Sequence, residues 1–203
     1  MHKEILTDEQ VALLPLLKYM RKEYGLVGGT AIALHIGHRE SIDFDLFSNK
    51  EFRTSALKKK IERVVKISHV IVDKSGELTF LVGDVKVTFY HYPFDIAYTE
   101  DFEGIIKMPN LVTLAAMKAY ALGRRAKWKD YVDLRFIMKG YHSLQEIVQQ
   151  AESIFGTQFN SKLFRIQLAY FDDVKYDEKV VFMPGVEVSE KKIKKELVEF
   201  SLE

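Results

Sequence analysis

The sequence predicts an α/β (α+β) fold, with a mixed sheet flanked by helices in a first domain at 1–108 and a helical domain at 109–203. Three observations carry the expectation. Leu26-Val27, the pair Gly28-Gly29 and the apolar run 31–34 read as strand, turn and helix start, and Ile42, Phe44 and Leu46 then alternate with Asp43 and Asp45 at the period of a half-buried strand. Further strand-like runs follow at 67–72, 78–82 and 85–92, the last two joined by Gly83-Asp84 as a two-residue hairpin turn. Beyond Pro109-Asn110 the apolar positions fall at helical spacing.

Composition bounds the classes. The 203 residues suffice for one large domain or two small ones, and 47% hydrophobic with 29% charged residues is the balance of a soluble globular protein. A formal net charge of +1 gives no global positive field for nucleic acid, although local patches can still bind it. No cysteine is present, which excludes disulfides, thiolate metal sites and a cysteine nucleophile. Residues 1–8 lack the apolar core of a signal peptide, and no apolar run approaches the roughly 20 residues of a membrane span, so the cytoplasm is the expected location.

In chain order, Thr7 and Gln10 form a capping pattern ahead of a helix with apolar positions Val11, Leu14, Leu17 and Met20. Pro15 is expected to kink or split that helix, since it removes a hydrogen bond and crowds the preceding turn. Tyr24-Gly25 ends it. After the aspartate strand, Ser48-Asn49 reads as a turn and cap, and 51–66 as one helix with Phe52, Leu57, Ile61 and Val64-Val65 inward. Its other face carries Arg53, Lys58, Lys59, Lys60, Arg63 and Lys66, either a solvated surface or a track for polynucleotide phosphates. The stretch 95–108 is a connection. Leu111, Leu114, Ala115, Lys118, Ala119 and Leu122 then mark a helical segment that continues through 123–134. Helices follow at 144–155 behind Ser143, at 161–171 and at 189–200, with an irregular connection at 172–188; they are expected to form a small bundle.

The stretch 28–47 holds the chemistry. Asp43 and Asp45 share one strand face, roughly 6–7 Å apart at a rise of about 3.3 Å per residue. At an effective dielectric near 20 they repel by about 2–3 kcal/mol, a cost that a cation between them removes. Mg²⁺ (or Mn²⁺) suits the pair, since such a metal takes one or two carboxylates plus substrate phosphates. At the other end, Gly28-Gly29 lets the backbone approach a phosphate, and the N–H groups of the first helical turn point at it. An anion cradle beside a metal-ligand pair fits a nucleoside triphosphate with its metal. The alternative is a glycine turn followed by an amphipathic edge strand with solvated aspartates.

Gly28-Gly29-Thr30, twelve residues, then Asp43-x-Asp45 resembles the first motif of the DNA polymerase-β-like nucleotidyltransferases. With His38-Arg39-x-Ser41 ahead of the aspartates, the string is similar to the AbiEii/AbiGii (MenT-like) toxin branch of that superfamily. The resemblance implies a nucleotidyltransferase core that moves a nucleotide from an NTP to an acceptor hydroxyl, at a tRNA or RNA end or on a protein side chain. It also implies a toxin with a separately encoded antitoxin. Asp43 and Asp45 would then be the metal ligands and catalytic carboxylates, with Gly28, Gly29, Thr30, Arg39 and Ser41 binding the nucleotide. Lys118, eleven residues before Lys129, and Lys129-Asp130-x-x-Asp133-Leu134 resemble a second block of the same branch. By that resemblance the lysine contacts the triphosphate and Asp130 completes the site.

One departure bears on catalysis. Where the family often shows Lys-Val-Asp or Lys-Val-Glu on the strand after the hairpin, this chain has Lys86-Val87-Thr88. The metal site then works with two aspartates, or another acid fills in, or the chain is a catalytically impaired nucleotide- or RNA-binding protein. Asp84 lies about 13 Å from Thr88 along the strand, too far to substitute. With Gly83-Asp84 as the turn, Thr79 would lie opposite Thr88 and Glu77 opposite Tyr90, which makes Glu77 one candidate; Asp95 is another.

Read without the resemblance, Lys118 shares the apolar face of its helix, where a cation either meets an anion or snorkels out. Asp130 and Asp133, at i and i+3, could hold Lys, Arg or metal, or form salt bridges to Lys127, Lys129 or Arg135. Arg124, Arg125, Lys127 and Lys129, with Trp128 and Tyr131 among them, are candidate acceptor contacts, where bases stack on aromatics and phosphates meet cations. Trp128 could equally be core. His35, His38 and His91 match no zinc-ligand spacing.

Overall fold

In the computed structural model, which describes residues 1–203, the chain divides into two units, Met1–Asn110 and Leu111–Glu203. The first is built on a five-stranded sheet in the order β1 (Gly25–Val27), β2 (Phe44–Ser48), β5 (Val85–His91), β4 (Glu77–Val82), β3 (His69–Lys74). β2 and β5 are parallel and every other neighbouring pair is antiparallel, so the sheet is mixed as the sequence predicts. A parallel pair needs a crossover, which here contains α3 (Thr54–Ile61), β3 and β4. Phe44 and Leu46 on β2, Val87 and Phe89 on β5, and Leu78 and Phe80 on β4 are all fully buried. The pleat leaves Asp45, Phe47 and Thr88 half-buried at the alternate positions.

Local chemistry explains most element ends. Thr7 and Gln10 close a capping box on α1 (Asp8–Met20). α1 runs unbroken through Pro15, so the helix is not split there. The carbonyl that Pro15 leaves without a donor is that of Val11, which is exposed and open to water. α2 spans Gly28–Ile36 and follows β1 without a gap. The helix expected over 51–66 is only α3, and turns rather than helix follow it from residue 62. Gly83-Asp84 is the β4–β5 turn and sets Thr79 against Thr88 and Glu77 against Tyr90, the expected register. The supposed connection 95–108 contains a two-stranded hairpin, β6 (Glu100–Phe102) and β7 (Ile106–Met108), whose three-residue strands are too short to show alternation. Ile42 and Asp43 lie outside β2 and Ile42 is exposed, so the apolar–acidic alternation begins two residues before the strand itself.

The second unit comprises α4 (Leu111–Leu122), α5 (Trp128–Gly140), α6 (Leu144–Phe155), α7 (Ser161–Leu168) and α8 (Glu190–Ser201). The helical segment read through 123–134 breaks at Gly123, where the amides of Arg124 and Arg125 both donate back to the Ala121 carbonyl and close α4. Ser143 and Glu146 form a capping box on α6, and Ser189 caps α8. Leu144, Ile147, Ala151 and Phe155 form the buried stripe of α6, and Phe155 stacks on Tyr120 at 4.0 Å between centroids. No helix in either unit is long and apolar enough to cross a membrane.

Candidate active site

β1 delivers the chain to the N-terminus of α2 through Gly28. Its φ of 74° is a conformation that L side chains avoid, and a Cβ there would lie 2.3 Å from Oδ2 of Asp45. The paired register of Val27 with Asp45 creates this contact, because the next residue of β1's path turns over the carboxylate. At Gly29 a Cβ would stand 2.5 Å from Nη2 of Arg39 and 3.4 Å from Oγ of Ser41. The N-cap of α2 is Val27, which has no side-chain acceptor, so the first-turn amides receive no side-chain cap. Those amides are the groups that an anion satisfies at a helix N-terminus.

The loop between α2 and β2 is folded inward. Thr30 is buried; its hydroxyl donates to the Asp43 carbonyl and lies 2.9 Å from Oγ of Ser41, itself buried. The Thr30 side chain therefore ties the loop to the helix, leaving its backbone as the part that can face a phosphate. Arg39 is only 1% exposed, with Nη1 donating to the Glu40 carbonyl at 2.9 Å. A guanidinium held inside, against the glycine pair, places positive charge beside the α2 amides. His35, lower on α2, has Nε2 3.0 Å from the Pro109 carbonyl, and burial holds its pKa below the usual histidine value. It is a structural contact.

Asp43 stands just before β2, and its Oδ2 accepts an ion pair from Nζ of Lys86 at 2.7 Å. Lys86 is the cation that meets the first carboxylate, and spacing alone did not identify it. Asp45 pairs in register with Thr88 on β5, whose hydroxyl is 3.3 Å from that of Thr79 on β4. Glu77 is turned to Lys74 at 2.9 Å and Asp95 is exposed. No group of three His, Cys, Asp or Glu side chains stands together anywhere in the chain, so neither acid joins the two aspartates. A two-carboxylate donor set is no self-sufficient metal cage, but it fits Mg²⁺ that takes its remaining oxygens from substrate phosphates and water.

The second unit gathers the other candidates. Nζ of Lys118 on α4 lies 2.5 Å from Oδ1 of Asp130 and 2.9 Å from Oδ2 of Asp133, and all three side chains are buried. Asp130 and Asp133 share one face of α5, as i and i+3 must, and Asp130 lies in the first turn, where negative charge is favoured. The aspartates' partner is thus Lys118, and not Lys127, Lys129 or Arg135. Arg125 approaches the same group from the rim, at 3.5 Å from Oδ2 of Asp130. That Oδ2 is buried and makes no hydrogen bond.

The basic–aromatic patch at 124–129 is not one phosphate-facing surface. Arg124 lies over the Tyr120 ring at 3.7 Å. Lys127 and Lys129 both hold Glu178, at 2.7 and 3.0 Å. Burial pushes the Glu178 carboxyl up, but the two lysines outweigh it and hold the pKa at about 2. Trp128 is core, packed with Tyr131 and Tyr176. Arg135 is bound to Glu196 at 2.6 Å.

The family described as nucleotidyl transferase AbiEii toxin, type IV TA system, matches residues 21–197. The chain belongs to this family. An uncharacterized protein of Aquifex aeolicus (strain VF5) is 27% identical over 186 residues, covering 88% of each chain. Among solved structures, MenT4, a nucleotidyltransferase toxin of Mycobacterium tuberculosis H37Rv, superposes with a TM-score of 0.60 at 14% identity, over 94% of this chain and 80% of its own. JHP933 of Helicobacter pylori gives 0.59 at 14% identity, over 97% of this chain and 92% of that one. The fold is that of nucleotidyltransferases. For an AbiEii-family chain the general activity is nucleotidyl transfer, in a toxin–antitoxin setting.

Proposed function

We propose that this AbiEii-family chain acts in the cytoplasm as a toxin that transfers a nucleotide from an NTP to an acceptor hydroxyl, on a tRNA or other RNA end or on a protein side chain. The observation that carries the reading is the fit of Gly28 over the Asp45 carboxylate, which sets an uncapped helix N-terminus directly beside the acidic pair. Asp43 and Asp45 would hold Mg²⁺ or Mn²⁺; the bound ion would neutralise phosphate charge and orient the triphosphate. The amides of Gly28, Gly29 and Thr30 would receive phosphate oxygens, with Arg39 and Ser41 supporting that turn from behind. Lys118 would meet the triphosphate, exchanging part of its contact with Asp130 and Asp133 for it. Asp130, whose Oδ2 lacks a hydrogen bond, would accept the proton of the acceptor hydroxyl. The hydroxyl oxygen bonds to the α-phosphorus as the bond to the bridging oxygen breaks, and pyrophosphate leaves. Arg124, Arg125, Lys127 and Lys129 would meet the acceptor once Glu178 yields its two lysines. A separately encoded antitoxin would restrain the activity.

A second reading, a nucleotide- or RNA-binding protein without turnover, is favoured by the Thr88–Thr79 hydroxyl pair where a third carboxylate would stand. One experiment separates the two. The protein is incubated with Mg²⁺ and each NTP labelled at the α-phosphate, with bulk tRNA or with a protein lysate, beside Asp43→Ala/Asp45→Ala. Label on RNA or protein that vanishes in the variant establishes the transferase and its acceptor class. Aspartate-dependent NTP binding without transfer establishes the binding protein, and absence of both removes each reading.

A further inference from the structure

Three residues along β2 from Asp45, roughly 10 Å away at the strand rise, the sheet ends at a cavity. It has a volume of about 270 Å³ and is bordered by Arg21, Lys22, Lys50 and Lys107, with Glu23 as its one acid. Glu23 is held by Lys60, which stands outside the cavity. None of the four bordering cations has an acidic partner: Arg21 donates to the Gly104 carbonyl at 2.6 Å, and the three lysine side chains make no hydrogen bond or ion pair. In a chain of net charge +1, four unpaired cations around one cavity are a local concentration of charge.

The walls are aromatic and fixed. The Tyr98 ring lies across Gly25, where a Cβ would come 2.0 Å from its Cε1, and its hydroxyl donates to the Phe47 carbonyl at 3.2 Å. Tyr24, which borders the cavity, is wedged edge-on between Phe52 and Phe89, and its hydroxyl has no hydrogen-bond partner. Phe94 forms a third wall and packs edge-on against Tyr92 at 5.1 Å. Cations for a phosphate, flat rings for a base and one open hydroxyl are the parts of a nucleotide site. The volume lies near the low end of ligand pockets, roughly 300–1,000 Å³, which suits one nucleotide and excludes a duplex.

We propose that this cavity binds a single nucleotide unit, its phosphate among Arg21, Lys22, Lys50 and Lys107 and its base against Phe94 and Tyr98. The unit is either free or part of an RNA strand. The site is separate from the cradle at α2 and does not depend on Asp43 or Asp45. The test follows anisotropy of a fluorescein-labelled hexauridylate without metal, using Lys50→Glu/Lys107→Glu and, as an equal charge change on exposed positions of the second unit, Lys162→Glu/Lys191→Glu. The first pair should weaken binding at least tenfold and flatten the salt dependence by about 0.7 per lost phosphate contact, while the second changes affinity less than about twofold. Phe94→Ala should weaken the probe at least fivefold yet leave its displacement by pyrophosphate unchanged. Displacement of the probe by 5′-AMP points to a free nucleotide, and displacement only by unlabelled oligomer points to a strand; both support the site. Equal losses from the two charge-reversal pairs, no effect of Phe94→Ala, or loss of binding in Asp43→Asn/Asp45→Asn would each overturn it.

Discussion

Oδ2 of Asp45 occupies the space where a side chain at residue 28 would begin, 2.3 Å from the Cβ position of Gly28. The glycine is needed twice, for its φ of 74° and for this contact. Gly28→Ala should therefore cost about 1–2 kcal/mol from the left-handed backbone alone. It should also push the Asp45 carboxylate aside, abolishing the rise in Tm that Mg²⁺ with NTP produces. Thermal unfolding with and without Mg²⁺-NTP measures both effects. A variant that is less stable but keeps its full ligand-induced rise would separate the glycine from the metal site.

Lys118 neutralises two buried carboxylates, so its loss is worse than the loss of an ordinary ion pair. Lys118→Met removes the ammonium that both buried carboxylates hold, and breaking such an arrangement costs about 3–5 kcal/mol. Removing the charges together in Lys118→Met/Asp130→Asn/Asp133→Asn should recover part of that loss. Urea unfolding of the three proteins tests the order: wild type most stable, Lys118→Met least. If Lys118→Met unfolds at the same urea concentration as wild type, the triad is not what holds α4 to α5.

The chemistry of the site was legible in the sequence where it depended on neighbours in the chain. The glycine pair must turn, Asp43 and Asp45 must fall near one strand start, and a Gly83-Asp84 turn forces Thr79 opposite Thr88. Capping at Thr7 and Ser143 is equally local. Charge partners were not legible, because they come from distant residues: Lys127 and Lys129 meet Glu178, and Arg135 meets Glu196. The basic segment 124–129 consequently read as an open phosphate surface. Thr30 shows the same limit, since its hydroxyl donates to the Asp43 carbonyl once the following loop folds back, a contact that no local pattern announces.

Glu178 makes the second unit sensitive to acid in a defined window. Its folded pKa of about 2 lies below the ordinary 4.5, so its contribution is complete above pH 4.5 and is lost as pH falls toward 2. Its partial exposure limits the contribution to about 1 kcal/mol. Glu178→Gln should lower Tm at pH 6, and the difference from wild type should shrink to nothing near pH 2. A difference that stays constant across that range would mean the two lysines do not depend on the ionised carboxylate.

Thr88 is the position at which transfer can be tested against binding, because it can be converted. It pairs in register with Asp45 across strands about 4.8 Å apart, so Thr88→Asp sets a third carboxylate beside the second. Without a cation the new charge repels Asp45 by as much as about 3 kcal/mol at an effective dielectric near 20, and the Thr79 hydrogen bond is weakened or lost. Thr88→Val isolates that second effect, at about 1 kcal/mol. Thr88→Asp should therefore be the least stable of the three without metal and gain the most from Mg²⁺, because the ion relieves a repulsion that wild type does not have. Nucleotide transfer that appears only in Thr88→Asp would identify the native chain as a binder with the parts of a transferase. Transfer that wild type already performs and Thr88→Asp does not improve would show that two aspartates suffice. Equal stabilisation of all three proteins by Mg²⁺ would mean that Asp45 does not face the metal, and the assignment of the acidic pair would fall with it.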